Sequence, residues 1–99
     1  MSVLMEFAIF PTDKGESVSK YVAKIIKMID KSRVKYRLTP MGTVVETKKL
    51  KKALKILDKS YKILKPYSNR VYATVKFDIR KNRKNAIHFK IKSIKEKIK

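Results

Sequence analysis

The fold of this chain is decided by a stretch in its middle, YRLTPMGTVVE, which runs from Tyr36 to Glu46. Pro40 fixes its own φ and pushes Thr39 into an extended conformation. With Gly42 in the fourth position, residues 39–42 fit a β-turn that has proline in the second position. Aromatic, leucine and β-branched side chains, which favour strands, lie on both sides of the turn. The stretch therefore predicts two strands joined by a tight turn.

The length and composition bound the class of protein. Ninety-nine residues predict a single domain, residues 1–99. The chain has no cysteine, which excludes disulfides, thiolate metal sites and cysteine nucleophiles. The apolar N-terminus is interrupted by Glu6 and is shorter than the roughly 20 residues of a membrane span. We therefore expect a cytoplasmic protein with no membrane partner.

The charge is unusual. Lysine and arginine total 27 against 8 acids, which gives a net charge of +19. An ion-pair network needs comparable numbers of both signs, so it cannot account for most of these lysines. The surface must carry a positive field that attracts polyanions.

The residues on either side of the hairpin predict three further elements of an α+β domain, a strand and two helices. Residues 3–10 are apolar on both alternating faces, as expected of a central strand. A polar loop leads to Ser17, a good N-cap residue, and helical spacing of apolar residues then predicts a helix that ends near Ser32. After the hairpin, Thr47 is the predicted cap of a second helix that Pro66 helps to end. The apolar stripe predicted for that helix is Leu50, Ala53, Leu54, Leu57, Tyr61 and Leu64.

The last third predicts a strand and a helix. Residues 70–78 alternate as a fourth strand, and residues 80–85 form a polar, basic connection. A C-terminal helix is predicted at about residues 85–98. Its narrow apolar seam consists of Ile87, Ile91, Ile94 and Ile98.

The order β-α-β-β-α-β is the ferredoxin-like pattern. It predicts an α+β fold in which an antiparallel sheet has two helices on one face, with a C-terminal helix added. The other face would remain open unless that helix or another subunit covers it. Because a soluble monomer seldom exposes a large apolar face, we expect a homodimer or homotetramer.

Four segments in this order resemble the thiamine-binding protein family, the group also designated UPF0045. They are EFAIFP (Glu6 to Pro11), SVSKYVA (Ser17 to Ala23), the hairpin itself, and RVYATVKFD (Arg70 to Asp78). The resemblance covers nearly the whole chain. It implies a ferredoxin-like fold, association through the sheets, and binding of thiamine or hydroxymethylpyrimidine without a reaction.

The chain departs from the family pattern in its acids. Relatives often carry acidic residues after the motif's glutamate, where this chain has Thr47-Lys48-Lys49. The acidic run that commonly follows the last strand is reduced here to Asp78-Ile79-Arg80-Lys81-Asn82. Most of these acids are absent from this chain, and so are the side chains for any role that the acids have in relatives.

The predicted ligand site centres on the turn. An aminopyrimidine needs hydrogen-bonding partners, and a thiazolium favours a nearby carboxylate or aromatic face. Hydroxyls, carboxylates, a thioether and open backbone lie in the right segments. The predicted ligand-binding residues are Glu6, Ser17, Thr39, Met41, Gly42, Thr43 and Glu46. The alternative is that the turn residues serve only backbone geometry.

Two members of this set have structural alternatives of their own. Glu6 interrupts an apolar strand, so burial would require a partner such as Lys76 or Arg37. Ser17 either caps the first helix or binds an anion there. No nucleophile-base pair, catalytic residue, metal site or cofactor is indicated, because the only histidine, His88, has no cysteine or nearby acid in sequence. We do not expect an enzyme.

The competing hypothesis is non-specific nucleic-acid binding. Lysine-rich helices and the basic connection supply its candidate residues, which are Lys48, Lys49, Lys52, Lys55, Arg80 and Arg83. The strands lack the aromatic signature of an RNA-recognition sheet. A solvated lysine-rich surface, or an assembly module without ligand, would account for the same residues.

Overall fold

The computed structural model describes residues 1–82 and 84–98. Arg83, one of the predicted nucleic-acid residues, lies outside the described residues. The elements, in chain order, are β1 (Ser2–Pro11), α1 (Ser19–Lys31), β2 (Lys35–Thr39), β3 (Gly42–Thr47), α2 (Leu50–Leu64), β4 (Val71–Arg80) and α3 (Ala86–Lys97). The predicted order of strands and helices is confirmed.

The four strands form one antiparallel sheet in the order β2-β3-β1-β4. β1 lies in the interior of the sheet and pairs along its whole length with β4. The hairpin predicted from Pro40 and Gly42 joins β2 and β3, with Thr39 opposite Gly42. This is the ferredoxin-like arrangement that the element order predicted.

The main core lies between the sheet and the helices α1 and α2. Val3, Met5, Phe7 and Ile9, which alternate along β1, point to this side and are buried. Val45 joins them from β3, opposite Met5. Burial of this apolar surface is the main driving force that holds the two helices on the sheet.

The third helix lies on the opposite face of the sheet, called the open face below. Leu4, Glu6, Val44 and Glu46 share this face, because each alternates with a core residue along its strand. α3 packs there against β1 and β3, and Leu4 is buried. The predicted C-terminal helix is therefore confirmed, with ends within one residue of the prediction.

The predicted seam of α3 is correct only for its first half. Ile87 and Ile91 are half-buried, whereas Ile94 is 62% exposed and Ile98 is 76% exposed. The helix is anchored to the protomer near its N-terminus, and its last turn leaves apolar side chains in solvent.

Both predicted helix caps are wrong. α1 begins at Ser19 with Val18 at the cap position, and no side chain caps it. The hydroxyl of Ser17 lies 3.5 Å from that of Ser19 instead. α2 begins at Leu50, and the hydroxyl of Thr47 donates to the carbonyl of Lys49 (2.8 Å) without capping the helix.

The buried stripe of α2 is also displaced from its predicted position. Its buried residues are Ala53, Ile56, Ser60 and Leu64, whereas Leu50, Leu54 and Tyr61 are exposed. Ser60 can be buried because its hydroxyl donates to the Ile56 carbonyl at 2.8 Å and so keeps a hydrogen bond. A hydropathy pattern treats serine as a surface residue, which is why this rotation of the helix was not predicted.

Candidate functional site

The turn between β2 and β3 is held by its own residues. The hydroxyl of Thr39 donates to the carbonyl of Gly42 (2.9 Å) and accepts the amide of Met41 (3.3 Å). A Cβ on Gly42 would lie 3.0 Å from the carbonyl oxygen of Phe7 in β1. Both residues therefore have a structural reason to be where they are, independent of any ligand.

The structure does not bring the predicted ligand residues into one pocket. Thr43 is buried on the helix-covered side of the sheet, opposite Phe7. Met41 projects from the tip of the hairpin and is 88% exposed. Ser17 is exposed in the loop before α1. Glu46 lies four residues beyond Gly42 along β3, a separation of roughly 13 Å at the rise of a strand.

Glu6 occupies the middle of the open face. Its carboxylate lies 3.6 Å from the Lys76 ammonium on β4, the residue directly opposite in the sheet. This is one of the two partners that the sequence suggested. The side chain of Glu6 is half exposed, so its pair with Lys76 is not a buried one in the protomer.

Glu46 fastens α3 to the sheet. One carboxylate oxygen accepts hydrogen bonds from the Ala86 amide and the Ser2 hydroxyl, both at 2.8 Å, and the other accepts the Ile87 amide at 3.3 Å. Desolvation works to raise the pKa of Glu46. The three hydrogen bonds, with the charge of Lys35 nearby, outweigh it and hold that pKa below its usual value.

A groove runs between β2 and α3 on the open face and consists of two adjoining clefts. The first, of about 390 Å³, is lined by Arg37, His88, Ile91, Lys92, Lys95 and Glu96. The second, of about 340 Å³, is lined by Lys35, Tyr36, Arg37, Glu46, Asn85, Ile87 and His88. Arg37 and His88 belong to both clefts, and Glu46 is the one predicted ligand residue in their lining. We call the two together the β2–α3 groove.

The acids of the β2–α3 groove already have partners. Glu46 accepts the hydrogen bonds described above, and Glu96 lies 3.9 Å from Lys92 in an exposed pair along α3. Among residues 1–82 and 84–98, Arg37 and Lys95 form no ion pair, and Lys35 donates to the Asn85 amide oxygen. The groove is therefore positively charged, with cations available to a ligand.

Sequence reasoning missed this groove, although a signal was present. Lys35 and Arg37 alternate along β2 and so share one face. His88, Lys92 and Lys95 recur at helical spacing and so share one face of α3. Each pattern is visible in the sequence, but nothing in the sequence brings the two faces together.

The predicted nucleic-acid residues are also divided. Lys48, Lys49, Lys52 and Lys55 are exposed at the start of α2, on the side of the sheet that α1 and α2 cover. Arg80 ends β4 opposite Ser2, whose hydroxyl reaches Glu46 on the open face. These residues sit at one end of the sheet but on two faces.

Residues 1–82 and 84–98 contain no group of three or more histidines, cysteines and acids that could hold a metal ion. No helix in the same ranges is long and apolar enough to cross a membrane.

These features define a class: a small ferredoxin-like α+β protein with a ligand-sized, positively charged groove beside its third helix. Comparison with known proteins narrows this class to one family: the family described as thiamine-binding protein matches residues 5–95. The chain belongs to that family.

Two archaeal proteins are similar to it over most of the chain. The UPF0045 protein MJ1052 of Methanocaldococcus jannaschii is 38% identical over 94 residues, which cover 95% of this chain and 93% of that protein. Its crystal structure superposes with a TM-score of 0.86 over 96% of this chain and 97% of the other. A UPF0045 protein of Methanothermobacter thermautotrophicus is 34% identical over 83 residues, covering 83% of this chain and 84% of that protein.

A more distant structure has the same fold. A candidate thiamine biosynthesis or salvage protein of Thermotoga maritima superposes with a TM-score of 0.77, over 93% of this chain and 99% of the other. Only 14% of the residues are identical, so this likeness concerns the fold alone.

Proposed function

We propose that the protein is a non-enzymatic, cytoplasmic small-molecule-binding protein that takes thiamine or hydroxymethylpyrimidine in the β2–α3 groove, within a homo-oligomer. The observation that carries the proposal is membership of the thiamine-binding protein family across residues 5–95. The location of the site is inferred from the groove, because the turn predicted from sequence is closed by its own hydrogen bonds.

The groove offers the groups that an aminopyrimidine needs. The Asn85 amide nitrogen can donate to the ring edge, and the His88 imidazole can donate to it or accept from it. Ile87 and Ile91 provide apolar contact for the ring itself. Each cleft has a volume within the roughly 300–1,000 Å³ of small-molecule sites.

Binding without a reaction agrees with the chemistry of these side chains. His88 packs edge-on against Phe89, with ring centres 5.1 Å apart. A general base in a triad is instead oriented by a carboxylate and lies beside a nucleophile. Among residues 1–82 and 84–98, the groove lining contains no serine, threonine or cysteine that His88 could activate.

Calorimetric titration with thiamine and with hydroxymethylpyrimidine tests the proposal. We expect saturable binding that weakens at least severalfold in His88→Ala and stays unchanged in Met41→Ala. The two side chains distinguish the groove from the turn, and both are exposed, so neither change should unfold the protein. Absence of binding of both ligands at millimolar concentration would refute the function. Weakening by Met41→Ala alone would return the site to the turn.

A second candidate function, non-specific binding of nucleic acid, is favoured by one observation, the net charge of +19. A field of that strength attracts phosphate backbones whatever the small-molecule ligand is. The salt dependence of binding to a DNA duplex tests it, because each neutralised phosphate releases counterions.

A further inference from the structure

We infer that the β2–α3 groove selects the phosphorylated form of its ligand, a small heteroaromatic phosphate monoester, and binds the phosphate between Arg37 and the α3 lysines. The inference rests on the proposed function, because it assigns a ligand class to the same groove. It is carried by the groove's charges and by the arrangement of its two clefts.

The cations converge from two elements. Arg37 lies on the open face of β2, opposite Val44, and reaches the groove from the sheet. Lys92 and Lys95 line the same cleft from α3. Arginine presents a planar fork of donors that matches two phosphate oxygens at once, and lysine adds a point charge. This combination suits a dianionic phosphate.

The same charges disfavour an unphosphorylated thiazolium. A cationic ring favours a nearby carboxylate or aromatic face. The carboxylates of the groove are already engaged, since Glu46 accepts three hydrogen bonds and Glu96 pairs with Lys92. Within the described residues, Arg37 and Lys95 form no ion pair, and the cations lining the two clefts outnumber the carboxylates. A ligand that brings its own negative charge removes this repulsion.

The two clefts suit the two parts of such a ligand, the ring and the phosphate. The cleft at the N-terminus of α3 contains the Asn85 amide and Ile87, which suit a ring. Tyr36 contributes its main chain there, since its hydroxyl donates to Asp30 on the other side of the sheet (3.0 Å). The adjoining cleft holds Lys92, Lys95 and Glu96; the exposed 3.9 Å pair of Lys92 with Glu96 leaves Arg37 and Lys95 as the cations of this cleft that form no ion pair within the described residues. Arg37 and His88 line both, so a ring in the first cleft would place a phosphate substituent in the second.

Calorimetry at fixed ionic strength tests the inference with matched ligands. The probes are hydroxymethylpyrimidine and its phosphate, thiamine and thiamine monophosphate, and inorganic phosphate. We expect each phosphorylated compound to bind at least tenfold more tightly than its parent, as charge-assisted hydrogen bonds would give. Inorganic phosphate, which lacks the ring, should bind more weakly than either ester.

Two double variants of equal net charge locate the effect. Arg37→Gln with Lys95→Gln removes the cations of the groove and should abolish the preference for the phosphorylated compounds. Lys55→Gln with Lys59→Gln removes two exposed lysines from α2, on the other face of the sheet, and should leave the preference intact.

Each outcome decides between the two proposals. Equal affinity for phosphorylated and parent compounds would overturn the inference and leave the proposed function standing. Equal loss of preference in both double variants, or equal binding of inorganic phosphate and the esters, would reduce the effect to general attraction of anions and also overturn it. Absence of binding by every probe would overturn both.

Discussion

Gly42 and Glu46 show how one short strand supplies two different kinds of constraint. Gly42 gives β3 room to approach the Phe7 carbonyl of β1, and Glu46 supplies the carboxylate that receives α3. The sequence identified Gly42 as part of a turn from local chemistry alone. The approach to Phe7, which is 35 residues away, and the amides of Ala86 and Ile87, 40 and 41 residues away, are long-range facts that no local pattern contains.

At the residue scale, Gly42→Ala should destabilise the fold. Its Cβ would lie 3.0 Å from a backbone oxygen, which cannot move aside without disturbing the β1–β3 ladder. Overpacking of this kind costs about 1–3 kcal/mol. Urea unfolding would measure the loss, with Met41→Ala at the exposed tip of the same turn as a control within about 0.5 kcal/mol of the parent. Equal stability of parent and Gly42→Ala would show that the strand has more room than the structure gives it.

A second residue-scale prediction concerns Ser60, which is fully buried in α2. Within the part of the chain that the structure describes, its hydroxyl bonds only in its own helix, to the Ile56 carbonyl. Ser60→Ala removes the hydroxyl without leaving a donor unpaired, and alanine is the better helix former. We therefore expect a change within about 0.5 kcal/mol in the urea unfolding free energy. A loss above about 2 kcal/mol would mean that the hydroxyl has a role beyond this bond.

At the scale of elements, the sequence predicted where strands and helices begin and end better than it predicted which side of each helix is buried. Proline, glycine and alternation fixed where β1, β2, β3 and β4 begin and end, within a few residues. The predicted caps failed because Ser17 and Thr47 use their hydroxyls elsewhere. The prediction of a buried seam on α3 was wrong for its second half, because only the start of that helix is held against the sheet.

Glu46→Gln should loosen α3 without unfolding the sheet. Glutamine keeps an acceptor oxygen but loses the charge that strengthens bonds from the Ala86 and Ile87 amides. We expect a cost of about 1–2 kcal/mol. Hydrogen exchange at those two amides should become faster, while exchange in β1 stays slow. Glu96→Gln, which breaks only an exposed pair, is the control that should leave exchange unchanged.

The docking of α3 should also depend on pH. The folded pKa of Glu46 lies below its ordinary value of 4.5, so the stabilisation is complete above that value and is lost as pH falls through the folded pKa. Amide exchange at Ala86 and Ile87 should therefore accelerate, relative to intrinsic rates, as the pH falls below about 4.5. The acceleration should be absent in Glu46→Gln. The pKa of Asp13 is also lowered, by hydrogen bonds from Ser68 and Asn69. Asp13 titrates in the parent and in Glu46→Gln alike, so its effect cancels when the two proteins are compared.

At the scale of the whole molecule, apolar side chains remain exposed on the open face and on α3. Phe10 and Tyr72 form an aromatic pair there, with ring centres 5.9 Å apart and Tyr72 half exposed. Ile94 projects from the last turn of α3, and Ile98 follows the helix directly; both are exposed. We expect these side chains to be covered by a second copy of the chain, because exposed apolar clusters mark interfaces.

Sedimentation at micromolar protein should therefore give a dimer or tetramer. Ile94→Ser with Ile98→Ser should shift the distribution towards monomer, because the substitutions remove apolar area from the exposed part of α3. Leu54→Ser, at a partly exposed position on the opposite side of the sheet, is the control and should leave the assembly unchanged. A parent protein that sediments only as a monomer would contradict the prediction.

The net charge of +19 leads to a last prediction, which distinguishes general electrostatic attraction from binding at a defined site. If lysines on α2 form a nucleic-acid surface, binding to a short DNA duplex should be micromolar at low salt and fall steeply as salt rises, since each neutralised phosphate releases counterions. Replacing Lys48, Lys49, Lys52 and Lys55 by glutamine should then flatten the logarithmic salt dependence. The Arg37→Gln and Lys95→Gln double variant should leave most of that slope in place. A flat salt response of the parent would remove nucleic acid as a partner and leave the charge to act on small anions in the β2–α3 groove.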